Sequence, residues 1–320
     1  MRNLVVLRAG PNSLHRNWSV PNRSWKLAIS SFETDDPARF PEADYFHYFK
    51  GGKWDGIHAF FCANPDLLDD FDQFWLPDDD IDATPAQVET LFDVTENYKL
   101  ELAQPSLTRD SYFFYPITLN TPFAILRYSN FVELMVPILN KSLLRRILPL
   151  LKLSKSGWGL DYVWSRMTSD PHSKCAIIDK ISVRHTRPFG SALAKEIKRL
   201  GGSSRSEMDS LSCRTGEDFS GFYPLSFRLL PHYGPEIRGG FLCGLLQFLA
   251  QFPWRLIGRH PGRKTGIRLF CGAFYRQFTR TPNFETIDDA QIAAWLQNAG
   301  SPPAMGELQH SGLHQRSAAN

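Results

Sequence analysis

An α/β fold carried by a mostly parallel, mixed sheet flanked by helices is what this 320-residue chain predicts, on three observations. Short apolar runs at Leu4–Leu7, Trp25–Phe32 and Asp44–Phe49 each end in turn-forming residues, as buried strands do. Helical periodicity alternates with those runs, most clearly after Thr84. The stretch Phe71–Leu76 then passes directly into Pro77-Asp78-Asp79-Asp80. An apolar strand that delivers acids to its C-terminal end puts them where α/β sheets hold ligands.

Composition narrows the class. The chain is 42% hydrophobic and 22% charged, enough for one large α/β domain or a core with an appendage. A net charge of +3 gives no footprint for nucleic acid. Cys62, Cys175, Cys213, Cys243 and Cys271 are scattered without a CxxC, which argues against a zinc site or disulfide framework and for a reducing compartment. The apolar run near Met1 is too short for a signal peptide, and no run reaches the roughly 18 apolar residues of a membrane span. A cytoplasmic protein is the expectation, with peripheral contact on the inner face of a membrane as its variant.

Taken in order, Leu4–Leu7 is a strand closed by Arg8-Ala9-Gly10-Pro11. The donor-rich loop after it carries Asn12, Ser13, His15, Arg16 and Asn17; it suits either a nucleotide base and phosphate or plain solvent. Trp25–Phe32 and Asp44–Phe49 are the next strands, the latter stopped by Gly51-Gly52. Lys53–Phe61 reads as helix, with Lys53 facing a phosphate or water. Thr84-Pro85-Ala86-Gln87 is a capped helix start, and Val88, Leu91, Phe92 and Thr95 recur on one face. Lys99–Pro105, Tyr112–Leu119 and Ala124–Tyr128 are strand candidates. Phe131–Leu151 reads as helix interrupted at Pro137 and Pro149.

From Gly201 the texture changes. Residues 1–200 form the expected core, 201–300 a basic, partly amphipathic and less regular extension, and 301–320 a polar tail expected to be disordered. No acid occurs between Glu236 and Glu285, while Arg238, Arg255, Arg259, Arg263, Lys264 and Arg268 fall there. Residues 238–280 are therefore a candidate membrane-surface contact, against the alternative of packing on the protein's own core with Arg at the rim.

Three adjacent carboxylates at Asp78, Asp79 and Asp80 repel one another and need a cation or solvent to compensate them. Hard oxygens suit Mn²⁺ or Mg²⁺, ions that bridge proteins to diphosphates; the competing reading is a solvated turn capping the next helix. In Ser156-Gly157-Trp158-Gly159-Leu160-Asp161, two glycines flank an aromatic platform on which a sugar ring can stack, with Trp158 and Gly159 as acceptor contacts. Asp161 would stand at the mouth of the next helix, either taking a proton from a hydroxyl or capping the helix. The strand Ala176–Val183 emerges into His185, whose neutral imidazole can ligate a metal.

The order Asp78-Asp79-Asp80, Gly157-Trp158-Gly159-Leu160-Asp161, His185 resembles the GT-A glycosyltransferases, most clearly the inverting galactosyltransferase-like group. There an acidic DxD motif holds Mn²⁺ against the nucleotide-sugar diphosphate, a GWGxE(D) motif binds the acceptor and supplies the base, and a downstream His completes the metal site. The first 190 or so residues also resemble the family called domain of unknown function 707, through Trp75-Leu76-Pro77-Asp78-Asp79-Asp80, Ala103-Gln104-Pro105-Ser106, Arg127-Tyr128, Asn130-Phe131-Val132-Glu133 and Ser156–Asp161. The chain departs from the galactosyltransferase pattern at Tyr162, where a second acid is expected.

The resemblance implies a GT-A-like, Rossmann-like domain moving a sugar from a nucleotide-sugar to a carbohydrate or glycolipid hydroxyl with inversion, in polysaccharide or glycoconjugate synthesis. Asp78, Asp80 and His185 would ligate Mn²⁺ or Mg²⁺. Arg8, Gly10, His15, Lys53, Asp78 and Asp79 would line the donor. Asp161 would be the base, with Glu133 as its alternative. A metal-dependent nucleotidyl or phosphoryl transferase and a non-catalytic nucleotide-sugar-binding protein are the rival readings.

Overall fold

Strand β1 (Asn3–Ala9) is buried along its whole length and divides the protein into two layers. Leu4 and Val6 point into one core with Trp54, Ile57 and Phe60 of helix α1 (Lys53–Ala63). Val5, Leu7 and Ala9 point into the other. That second core holds Val88, Leu91 and Phe92 of α3 (Pro85–Asn97), which follows the short α2 (Leu67–Asp70). This period-two partition is what a sheet covered on both faces requires. The computed structural model describes residues 1–154, 156–188, 203–215, 224–229, 236–238, 240–257, 271, 275 and 283–297.

The other strands are β2 (Lys26–Ser31), β3 (Tyr45–Tyr48), β4 (Gln73–Trp75), β5 (Ile81–Asp82), β6 (Leu102–Leu107), β7 (Ala124–Ser129), β8 (Ile138–Asn140), β9 (Cys175–His185), β10 (Pro224–Leu229) and β11 (Glu236–Arg238). The sheet order is β11-β10-β7-β9-β6-β8-β4-β1-β2-β3, with β5 paired to the end of β9. β3, β2, β1 and β4 are mutually parallel. Two antiparallel steps through β8 return β6 and its parallel neighbour β9 to the same direction. The result is the expected mixed, mostly parallel sheet flanked by helices. Because β1 has β2 on one side and β4 on the other, the loops after β1 and β4 part at a topological switch point, where such sheets open a crevice. The acidic run Asp78–Asp80 is the loop after β4.

Helix α3 starts as its sequence prescribes. Thr84 Oγ1 accepts from the Gln87 backbone N–H, and Gln87 Oε1 accepts from the Thr84 N–H, with Pro85 in the first turn. Two expectations are corrected. Tyr112–Leu119 is a loop closed by a 3-10 turn at Pro116–Thr118. Its carbonyls at Ile117 and Leu119 are bonded by the Arg127 guanidinium, so the segment needs no strand partner. Phe131–Leu151 is helical only in α4 (Lys141–Ile147) and the 3-10 stretch after it. Ahead of α4, β8 slots between β4 and β6, because a short apolar run adopts whichever period its neighbours offer.

β9 carries an irregularity that matters for the site. Its register against β6 jumps from Pro105↔Ile178 to Ser106↔Ser182, so Asp179, Lys180 and Ile181 bulge out of the ladder. Asp179 is locked there by Arg127 at 2.6 Å, both side chains fully buried, and by the Thr121 N–H at 2.8 Å. Removing one partner of a buried pair strands the other charge at about 3–5 kcal/mol. Arg127→Met is therefore expected to lower unfolding stability by that amount, read as the denaturation midpoint at unchanged slope. A midpoint equal to wild type would mean that the pair does not secure the bulge.

Among the described C-terminal residues, β10 pairs with β7 and β11 with β10, extending the same sheet. Leu211, Ile292 and Trp295 join the core that contains Leu4. In the helix Gly240–Ile257, Gln247 and Gln251 donate to the Ile117 and Leu119 carbonyls, while Leu242 and Leu249 are exposed. Most of the expected membrane contact at 238–280, and the 301–320 tail, lie outside the described residues. No helix among the described residues is long and apolar enough to cross a membrane.

Candidate active site at the crevice

The acid loop is fastened on two sides. Toward β8 the Leu76 N–H bonds the Pro137 carbonyl and the Asp78 N–H bonds the Met135 carbonyl, both at 2.8 Å. Toward β9, β5 pairs Ile81 with His185, and Thr186 bonds the Asp80 carbonyl through its N–H at 3.2 Å and its hydroxyl at 2.9 Å. The β9 bulge thus turns the strand end onto the acid loop and sets His185 beside Asp80.

Asp78, Asp80 and His185 each offer a ligand atom, and the three atoms lie within 4.8 Å of one another. His185 Nδ1 donates to the Tyr112 carbonyl at 2.7 Å, which leaves Nε2 facing Asp80 Oδ2 at 3.1 Å. A ring fixed in that way presents its lone pair at Nε2 when neutral. Asp80 is 7% exposed, yet its Oδ1 has no hydrogen-bond partner among the described residues. A buried, unbonded carboxylate oxygen is costly unless something else meets it. Two carboxylates and an imidazole suit a hard divalent ion such as Mn²⁺ or Mg²⁺, so the residues present fit that group. Burial lowers the His185 pKa, but the hydrogen bond and charge of Asp80 outweigh it and hold the ring above its ordinary value.

Two further carboxyls are linked to this cluster by charge, Glu133 directly and Asp161 through Glu133. Asp161 lies in the first turn of a short helix (Leu160–Val163) whose N-cap is Gly159, so it is not the cap residue. Its Oδ1 accepts the Gly159 N–H at 3.2 Å. Burial raises Asp161 to about 7, against that hydrogen bond. Glu133 is raised to about 8, first by burial and next by the charge of Asp161, with His185, Asp78 and Lys53 also felt. Its Oε2 is buried without a partner among the described residues. The Asp161 side of the crevice is aromatic. The Phe114 and Trp158 rings meet edge to face at 5.6 Å, and Phe114 is 42% exposed. Tyr115 lies behind them, its hydroxyl pushed upward by burial and by Asp161. Phe114 and Tyr115 belong to the run read from sequence as a strand, which hid them.

The remaining predicted donor contacts are placed differently. Arg8 is buried, donating to the carbonyls of Ser30, Phe49 and Gly51 and to the Ser30 hydroxyl, and lies over the Phe32 and Phe49 rings. Burial lowers it to about 10. It knits β1 to β2 and to the turn before α1. His15 has Nδ1 on Ser13 and Nε2 on Glu42 at 2.6 Å, so both ring nitrogens are engaged. The Gly10 N–H donates to Asp79 Oδ2, and Asp79 Oδ1 pairs with Arg187 at 3.0 Å. Asp79 thereby ties the β1 loop to the segment after β9. A Cβ on Gly10 would fall 2.3 Å from the Phe32 ring. Lys53 does reach the acid loop, at 2.7 Å from Asp78.

Comparison with solved structures finds similarity to crystal structures of S. aureus TarS. TarS 1-349 in complex with UDP-GlcNAc overlaps 93% of this chain and 89% of that one, at 9% identity and a TM-score of 0.41. A further TarS 1-349 structure gives the same coverage and identity with a TM-score of 0.42. Against a longer TarS chain the match takes in 66% of this chain and only 40% of that one, at 7% identity and a TM-score of 0.38. No family model matches the sequence, domain of unknown function 707 included, and no curated protein matches it.

Proposed function

We propose that the protein is a glycosyltransferase of GT-A type, moving a sugar from a nucleotide-sugar to an acceptor hydroxyl with inversion. The observation that carries this reading is the meeting of Asp78, an Asp80 Oδ1 unbonded among the described residues and His185 Nε2 at a sheet switch point, with Glu133 feeling the charges of that cluster and of Asp161. Asp78, Asp80 and His185 would hold Mn²⁺ or Mg²⁺, which when bound neutralises charge on the departing diphosphate. Asp161 takes the acceptor proton as the acceptor oxygen bonds to the anomeric carbon and the bond from that carbon to the diphosphate breaks. A base with a pKa near 7 is matched to that work. Phe114 and Trp158 offer ring faces and edges to an acceptor sugar.

The test is a panel of nucleotide-sugars incubated with the protein and Mn²⁺, with the released nucleotide identified. Nucleoside diphosphate release supports sugar transfer or its hydrolytic counterpart. Pyrophosphate or inorganic phosphate as product would move the site to nucleotidyl or phosphoryl transfer, and saturable binding without any release would make it a binding module.

A further inference from the structure

The crevice already contains one cation. Lys53 opens α1, and its Nζ lies 2.7 Å from the Leu134 carbonyl, 3.0 Å from the Met135 carbonyl and 2.7 Å from Asp78 Oδ1. An ammonium has three N–H donors and all three have an acceptor here. Nothing is left over for a donor phosphate. Lys53 instead lies against the same carboxylate that shares the cluster with Asp80 and His185.

We propose that Lys53 is a resident cation that competes with the divalent ion for Asp78, making free metal bind weakly and leaving firm binding to depend on the oxygens a diphosphate brings. This inference rests on the metal-centre reading above. The ammonium half-neutralises the cluster in the absence of metal, so the acids need not repel one another open. It also pairs a positive charge with a carboxylate that would ligate the ion, which would lower affinity for a second positive charge. An ion that arrives with a diphosphate brings compensating negative charge and added ligands, and the Lys53 charge no longer opposes it. The two carbonyls that hold Nζ belong to the segment that carries Glu133 and also receives the Asp78 N–H. The ammonium is thus held beside Asp78 by two backbone carbonyls.

The test titrates Mn²⁺ alone, with no nucleotide, into wild type, Lys53→Met, Lys53→Gln and Lys53→Arg. Bound metal is followed by calorimetry and by the paramagnetic resonance of free Mn²⁺. Gln can still donate to the two carbonyls, which covers the case that the Met variant fails to fold. The neutral variants are expected to bind Mn²⁺ roughly tenfold tighter, about 1.4 kcal/mol, and the Arg variant to stay near wild type. Equal or weaker binding by the neutral variants, with wild type still binding, overturns the competition and leaves the metal centre standing. Binding by the neutral variants alone upholds the competition and removes metal dependence from the native site. No binding by any form ends both.

Discussion

Replacing Asp161 by Asn is expected to cut turnover by about 10²–10⁴-fold while leaving Mn²⁺ and donor affinity within a small factor of wild type. The amide keeps the side chain's shape and its Oδ1 can still accept the Gly159 N–H, so the loop is preserved while the base is lost. The pH dependence carries the sign. As the proposed base Asp161 would work only when ionised, and burial holds it at about 7, so wild-type kcat/KM should climb with pH through that value and the climb should vanish in the variant. Stability moves the other way. A folded-state pKa above the ordinary carboxylate value contributes stability that is present below about 4 and is lost as pH rises through about 7. Above pH 8 the neutral Asn should therefore be the more stable protein, by at most on the order of 4 kcal/mol. A variant that retains full turnover, or is destabilised at high pH, would take the base assignment away from Asp161 and turn attention to Glu133.

Asp80→Ala is expected to remove measurable Mn²⁺ binding and nucleoside diphosphate release together, with the fold intact. Its backbone carbonyl, which anchors Thr186, survives the substitution, so β5 should stay on β9. What disappears is the buried oxygen that has no partner among the described residues. His185→Ala should act in the same direction but less strongly, since two carboxylates remain. Calorimetry with Mn²⁺ and a melting curve decide the case: an Asp80→Ala protein that melts like wild type and still binds Mn²⁺ with wild-type affinity would dissolve the metal centre as drawn.

Much of the site was legible because its residues are the odd ones in their local pattern. Acids follow an apolar strand at Asp78–Asp80, two glycines bracket an aromatic at Trp158, and an imidazole ends the strand at His185. Asp78, Asp80 and His185 converge through the pairing of β5 with the end of β9 and the Asp78 tie to Met135, contacts that no residue type announces. Arg8 misled because a cation at the end of the first strand looks poised for phosphate. Its partners are carbonyls of β2 and of the turn before α1, and those assemble only in three dimensions. Lys53 was legible as a cation near the site but not as a saturated one, since the Leu134 and Met135 carbonyls that fill its valence lie more than eighty residues away. The aromatic run at Tyr112–Tyr115 has strand composition, and only the side-chain donors that satisfy the following carbonyls let it be a loop.

The loop around Trp158 separates what can change from what cannot. Gly157 and Gly159 both adopt left-handed backbone, with φ of 78° and 102°, and a Cβ on Gly157 would fall 2.2 Å from the Trp54 indole nitrogen. The residue between them is held by that frame, while its ring reaches toward Phe114 and is only partly buried. If the proposed acceptor lies against these rings, substitutions at Trp158 and Phe114 would change its fit while the two glycines, constrained by backbone angle and at Gly157 by the Trp54 ring, keep the loop in place.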